Sequence, residues 1–355
     1  MSIFRFLFLA IAAAMLTIVI SCSQTPGDNL TQSSSASSSP AATTVNNQTS
    51  GEAKININTA ILSDLDKLEA KLGVPALSNE IQANRPYGST DELVSKKVLT
   101  QEQFNQIQNL VTTQDVVLTG VAKDVDYMTK LGLMKGHLIV AKELLALQQP
   151  KQAEPHIGHP VEEIYVNVAD QLDERHVKQF KDDLIGLQDL VKSQPKNPQI
   201  ATNFKVSMQD VDTAIQALPA AERQSPQFVL QVVNGLLDAA SSEYMSAIAN
   251  GKVAAVIEYQ DSLGFVTYAN DLYQGISSTM AKAHPEAHKA IVARMAELEK
   301  TWPTVTAPPA PVNTPTQVTQ LIKAIEQNSQ QAIKTSNTQR SAGGSSGGCV
   351  EQAQA

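Results

Sequence analysis

Apolar residues return every three or four positions from about Gly120 to Trp302, and nothing there alternates with period two for long. The spacing predicts a helix over 124–147, with Met128, Leu131, Met134, Leu138, Ala141 and Leu145 along one face. A second helix is expected to begin at Pro160, a favoured first-turn residue. It or its continuation carries Ile164, Val168, Phe180, Leu184, Leu187 and Val191. Further helices are expected over about 203–218, 227–249, 254–283 and 285–300. A smaller pattern precedes these. Asn58 or Thr59 can cap a helix bearing Leu62, Leu65 and Leu68. Three more short helices come after it, around Leu77 and Ile81, after Ser89-Thr90-Asp91, and around Phe104 and Ile107. The expected fold is all-α, with a small domain at 53–113 and a larger helical bundle at 120–302. The segment 303–315 holds five prolines in thirteen positions and cannot be a helix interior. A short helix can return at 316–334, before a Gly/Ser-rich tail that is flexible by composition.

Composition narrows the function classes. The 355 residues are 42% hydrophobic and 5% aromatic, which suits helical packing better than a β-sandwich. The formal charge of -8 argues against a protein devoted to phosphate backbones. Two cysteines cannot make a disulfide framework or a thiolate zinc site.

The first 21 residues lie outside the fold-forming pattern. From Ile3 to Ile20 the chain is apolar except for Arg5 and Thr17, as in a secretory signal. It ends in Val19-Ile20-Ser21-Cys22, which resembles the lipobox of bacterial lipoproteins. That resemblance implies cleavage before Cys22, diacylation of Cys22, and a membrane anchor facing the periplasm from the inner or outer membrane. Residues 22–52 are rich in Ser, Thr, Asn and Gln and read as a disordered tether.

The small domain opens with Asn56-Ile57-Asn58-Thr59-Ala60 and later carries Arg85-Pro86-Tyr87. In layout it resembles the helix-hairpin-helix module of ComEA-type DNA receptors, related to one in an extrinsic photosystem II subunit. A DNA-binding role would set Lys71, Gly73, Lys96 and Lys97 against phosphates. Against it, the second hairpin has no glycine, and residues 53–112 hold 6 basic and 7 acidic side chains. A docking element is the better expectation.

Polar residues on the apolar stripes of the bundle need an explanation. His137 sits between Met134 and Ala141 on one face. His156, His159, Glu162 and Glu163 cluster around Pro160, with His159 and Glu162 at i and i+3. Glu258 and Asp261 are also i and i+3, on a stripe with Phe265 and Tyr268. Glu243 shares a face with Val232, Leu236 and Ala247. Buried imidazoles and carboxylates are costly unless paired or bound to metal, and such residues from several helices are the usual design of a bundle metal site. The competing reading makes the residues around Pro160 capping groups and gives Glu258 and Asp261 salt bridges to Arg or Lys.

Gly158-His159-Pro160-Val161-Glu162 resembles the Gly-x-His-x-x-Glu motif of imelysin-like (EfeO-type) proteins, exported helical bundles associated with iron uptake, although the glycine is one residue too close. The resemblance implies metal handling outside the cytoplasm. The expected metal ligands are therefore His137, His156, His159, Glu162, Glu163, Glu258 and Asp261, for iron, copper, zinc or manganese. No nucleophile–base arrangement or His-Glu-x-x-His motif points to an enzyme. The expected partners are the membrane, through the lipid, and an envelope protein. The alternatives are a DNA-uptake receptor and a structural interaction subunit.

Overall fold

Strands β1 (Ile55–Asn56) and β2 (Val111–Thr112) pair in parallel and tie the two ends of a small helical module together. The computed structural model describes residues 54–115 and 117–343. The expected signal segment, Cys22, the whole of the tether and the tail from residue 344 lie outside the described residues.

Four short helices fill the module: α1 (Leu62–Leu72), α2 (Leu77–Ala83), α3 (Glu92–Ser95) and α4 (Gln101–Ile107). Gly73 ends α1 in the left-handed conformation, at φ +64, and donates its N–H to Glu69 O. Thr100 and Gln103 form a reciprocal capping box at the start of α4. Ile57, Leu65, Leu68, Ile81, Leu93 and Ile107 are sealed in the centre. The two sequence signatures prove to be halves of one joint. Asn58 brackets the backbone of Tyr87, accepting from its N–H at 2.7 Å and donating to its carbonyl at 2.8 Å. Arg85 donates to the Ile57 and Ala60 carbonyls, each at 2.7 Å.

The larger part starts with α5 (Gly120–Ala146) and α6 (Pro150–His159). The expected helix start at Pro160 is corrected: Pro160 lies at the end of a helix that begins ten residues earlier. Having no N–H, Pro160 cannot donate to His156 O, and the chain widens into a π turn over Pro160–Ile164, closed by Tyr165 N–H to Pro160 O. A 3-10 turn and α7 (Ala169–Glu174), α8 (Lys181–Ser193), α9 (Gln199–Gln216) and α10 (Ala220–Arg223) follow, with α8 packed on α6 and α9 on α5 and α8. The long helices α11 (Pro226–Ala247) and α12 (Val256–Ala283) are joined by the two-residue strands β3 (Ile248–Ala249) and β4 (Lys252–Val253). Next come α13 (Pro285–Leu298) and, after the proline-rich segment, α14 (Pro315–Gly343). The last helix is longer than the expected 316–334. It belongs to the bundle, since Val318, Ile322 and Ile325 are buried where α14 packs on α11 and α13.

The fold is all-α apart from these short bridges. No helix among the described residues is long and apolar enough to cross a membrane.

Two packing contacts position the buried polar residues of the bundle. Helices α5 and α12 cross at Gly136 and Gly264. A Cβ on Gly264 would lie 2.7 Å from the Gly136 carbonyl carbon, and one on Gly136 would lie 2.6 Å from a ring carbon of Phe265. Only paired glycines allow so close an approach of the backbones. The crossing sets His137 of α5 beside Asp261 of α12. The second contact is α1 against α11, which places the small module over one end of the bundle. Ile61, just before α1, joins the bundle core rather than its own module's core.

Candidate metal centre

His137 Nδ1 lies 2.6 Å from Asp261 Oδ1, and His156 Nδ1 lies 2.7 Å from the same oxygen. His159 Nδ1 is 3.5 Å from Asp261 Oδ2. Three imidazoles from α5 and α6 thus surround one carboxylate of α12. His137, His156 and Asp261 are 4%, 0% and 2% exposed, so water is not their counterpart. One donor atom from each of these three lies within 4.8 Å of the other two. The salt-bridge reading of Asp261 fails, because its ion-pair partners are the three histidines and not an Arg or Lys.

The protons around His156 can be placed from the hydrogen bonds. Gln260 Nε2 donates to the Val305 carbonyl at 3.0 Å and to Gln152 Oε1 at 3.1 Å. A carbonyl can only accept, so the amide orientation is fixed. Gln260 Oε1 therefore faces His156 Nε2, 2.9 Å away, and that nitrogen must carry a proton. In the neutral ring this leaves Nδ1 with the lone pair, turned toward His137 and Asp261. A metal-ligating histidine characteristically donates its other N–H to an oxygen that fixes its tautomer, and the Gln152–Gln260–Val305 chain provides that fixture.

Charge in the cluster is strongly coupled. Burial alone would raise the pKa of Asp261, but His137 and His156 overrule it and hold the carboxyl well below the usual carboxylate range. Burial lowers His137, in part opposed by Asp261. Burial would also lower His159. Its hydrogen bond to Asp261 and the charges of Asp261, Glu163 and Glu258 reverse that and push it up to about 9.

The cluster opens on a cavity of about 210 Å³ between the small module and the bundle. Its walls include His137, His159, Glu163, Glu258 and Asp261, with Glu243 and Ser246 from α11 and Asp66 and Glu69 from α1. Glu163 and Glu258 thus reach the cavity, with pKa values raised first by burial. Glu162 does not: it is exposed and outside the cavity wall. The expected i, i+3 pairing with His159 fails because the wider π turn carries residue i+4, Glu163, over His159 instead.

Of the residues singled out for DNA, Lys71 and Lys97 are exposed and Gly73 serves the α1 turn. Lys96 is engaged within its own module. It donates to the Asn84 carbonyl at 3.0 Å, pairs with Glu92 at 3.2 Å and lies over the Tyr87 ring.

Four contributors lie beyond what the sequence pattern signals. Gly136 and Gly264 carry no chemical mark in the sequence beyond their presence in long helices. Gln260 reads there as an ordinary polar neighbour of Asp261. Asp66 belongs to the other module, and only the packing of α1 on α11 brings it to the cavity.

Residues 219–336 match the family described as the iron permease-associated four-helix bundle domain. The match covers a third of the chain and spans α10 to most of α14, including Asp261, Gln260, Glu243 and Glu258. It relates this part of the bundle to domains associated with metal uptake. The three histidines lie outside the matched segment. No curated protein and no solved structure matches the chain.

Proposed function

We propose that this chain is a lipid-anchored cell-envelope protein that binds a transition-metal ion, iron first among the candidates, and exchanges it with a permease-type membrane partner. The observation that carries the reading is the buried group of His137, His156 and Asp261 with the tautomer of His156 fixed by Gln260. Two imidazoles and a carboxylate suit iron, copper, zinc or manganese. The similarity of residues 219–336 to iron permease-associated domains favours iron.

The chain's own part in binding is a proton exchange. Without metal, His156 can donate to both Gln260 and Asp261 only with a proton on each ring nitrogen; for metal to enter, the Nδ1 positions must be free of protons. His159, poised at the cavity side with its proton held by Asp261, Glu163 and Glu258, is the exchangeable fourth donor. The role is holding and handing on an ion rather than catalysis. The lipid on Cys22 would keep the bundle near its membrane partner.

The test is metal content of the full chain, purified without chelator or affinity tag and titrated with ferrous iron, copper, zinc and manganese. The wild type binds one of these ions near stoichiometrically in this group, and His156→Ala weakens that binding at least a hundredfold. Equal affinity in the two proteins would overturn the assignment.

A further inference from the structure

The outer wall of the cavity has a different chemistry from its inner end. Glu243 is 6% exposed and lines the cavity, and its carboxylate makes no hydrogen bond or ion pair with the other described residues. Burial comes first in raising its pKa, and the largest charges that add to it are carboxylates, of Asp66, Asp261, Glu258 and Glu163. One turn further along α11, the Ser246 hydroxyl is buried, unpartnered, and lines the same cavity. Asp66 is also 6% exposed. Its Oδ1 is taken by the Ser78 hydroxyl, leaving Oδ2 without a hydrogen bond. Glu69, by contrast, is occupied in accepting from the Ala76 and Ser78 N–H groups at the start of α2. No Lys or Arg stands among the described residues of the cavity wall; its basic side chains are His137 and His159, which face Asp261 at the inner end. An unpaired buried carboxylate costs several kcal/mol of stability unless it is neutralised or compensated, and here carboxylates from two modules face one another.

We propose that Glu243 and Asp66, with Glu258 and Ser246 beside them, form a second cation site, for a hard divalent ion of the calcium or manganese type, bridging the small module and the bundle. Carboxylate and hydroxyl oxygens without imidazole select such ions. Among the described residues, the inner group alone brings three donors within 4.8 Å. The outer ion therefore keeps part of its water shell, for which the cavity has room. The site assigns a task to the small module: Asp66 supplies one side of a clamp whose other side is α11. Glu258 also acts on His159, but Glu243, Asp66 and Ser246 are not residues of the inner group, so variants of these test the outer site separately from the transition-metal reading.

Calcium separates the two, because it binds imidazole poorly. The experiment is a calcium titration of the metal-free full chain at pH 7.5, followed by calorimetry and thermal unfolding, for the wild type, Glu243→Gln and Asp66→Asn. The wild type should bind one calcium ion and melt at a higher temperature with it. Both variants, each close to isosteric, should bind at least tenfold more weakly and lose the shift. Glu243→Gln without calcium should melt at or above the wild-type temperature, since it removes a buried carboxyl that must either hold a proton or stay uncompensated. If Glu243→Gln fails to fold, Asp66→Asn carries the test. Absence of a calcium response in the wild type, or an unchanged response in the folded variants, would overturn the proposal.

Discussion

The two ends of one cavity solve the burial of charge in opposite ways. At the inner end a single carboxylate, Asp261, is met by three histidines, and His156 is answered at both nitrogens. At the outer end Glu243 and Asp66 meet further carboxylates and an unpartnered hydroxyl. The inner group is held by a backbone crossing and a chain of amides, so it is ordered before any ion arrives. The outer group is assembled from two modules and left electrostatically unbalanced. On the proposed reading, preorganisation is what would make the first selective, and imbalance what would make the second respond to pH and to cations.

The largest effect that would break this contrast is at the crossing. Gly264→Ala places a Cβ against the Gly136 backbone, which cannot rotate out of the way as a side chain can. The substitution should destabilise by about 3 kcal/mol and abolish transition-metal binding, seen in chemical denaturation and in metal content. Gly275, inside the same helix with open space around it, is the control; its change to Ala should leave metal binding unaltered and stability equal or slightly higher.

A smaller effect is expected at Gln260. Replacing it with Leu leaves His156 Nε2–H without its acceptor and frees the tautomer. Loss of such an outer hydrogen bond weakens metal affinity by roughly 10- to 100-fold. Competition against a chromophoric chelator would measure it, and unchanged affinity would show that Gln260 does not orient the ring.

The pH dependence sharpens the outer end. Burial first, relieved in part by Ser78 and reinforced by Glu69, Glu163 and Glu258, raises Asp66 from 3.8 to about 7. The folded state therefore favours the neutral acid. Its stabilising contribution is complete below pH about 4 and is lost as pH rises through about 7. The melting temperature of the metal-free wild type should fall relative to that of Asp66→Asn across this window and stay parallel above it. A constant gap from pH 4 to 8 would show that Asp66 does not titrate there.

Much of the helical frame was legible because apolar spacing dictates it. Met128 to Leu145 fall on one face of α5, and α11, α12 and α13 lie close to their expected spans. His137 stood out as an imidazole on an apolar stripe, and Glu258 with Asp261 as carboxylates one turn apart. Other features depend on phase and packing, which spacing does not carry. The missing N–H of Pro160 changes the helical phase, so Glu163 replaces Glu162 at the cavity. The sequence has Gly136 and Gly264 128 residues apart, and nothing local marks them as a crossing. Asp66 resembles any acidic residue on a short surface helix until α1 is laid on α11. The prolines at 308, 309 and 311 obscured the long helix after them, which the bundle captures through Val318, Ile322 and Ile325.

The central claim is that the inner group takes its ion through imidazole nitrogen. X-ray absorption at the metal edge of the iron- or zinc-loaded full chain tests this most directly, since imidazole gives a characteristic outer-shell scattering pattern. At least two imidazoles should appear in the first shell of the wild type and fewer in His156→Ala. A shell of oxygen alone in the wild type would contradict it.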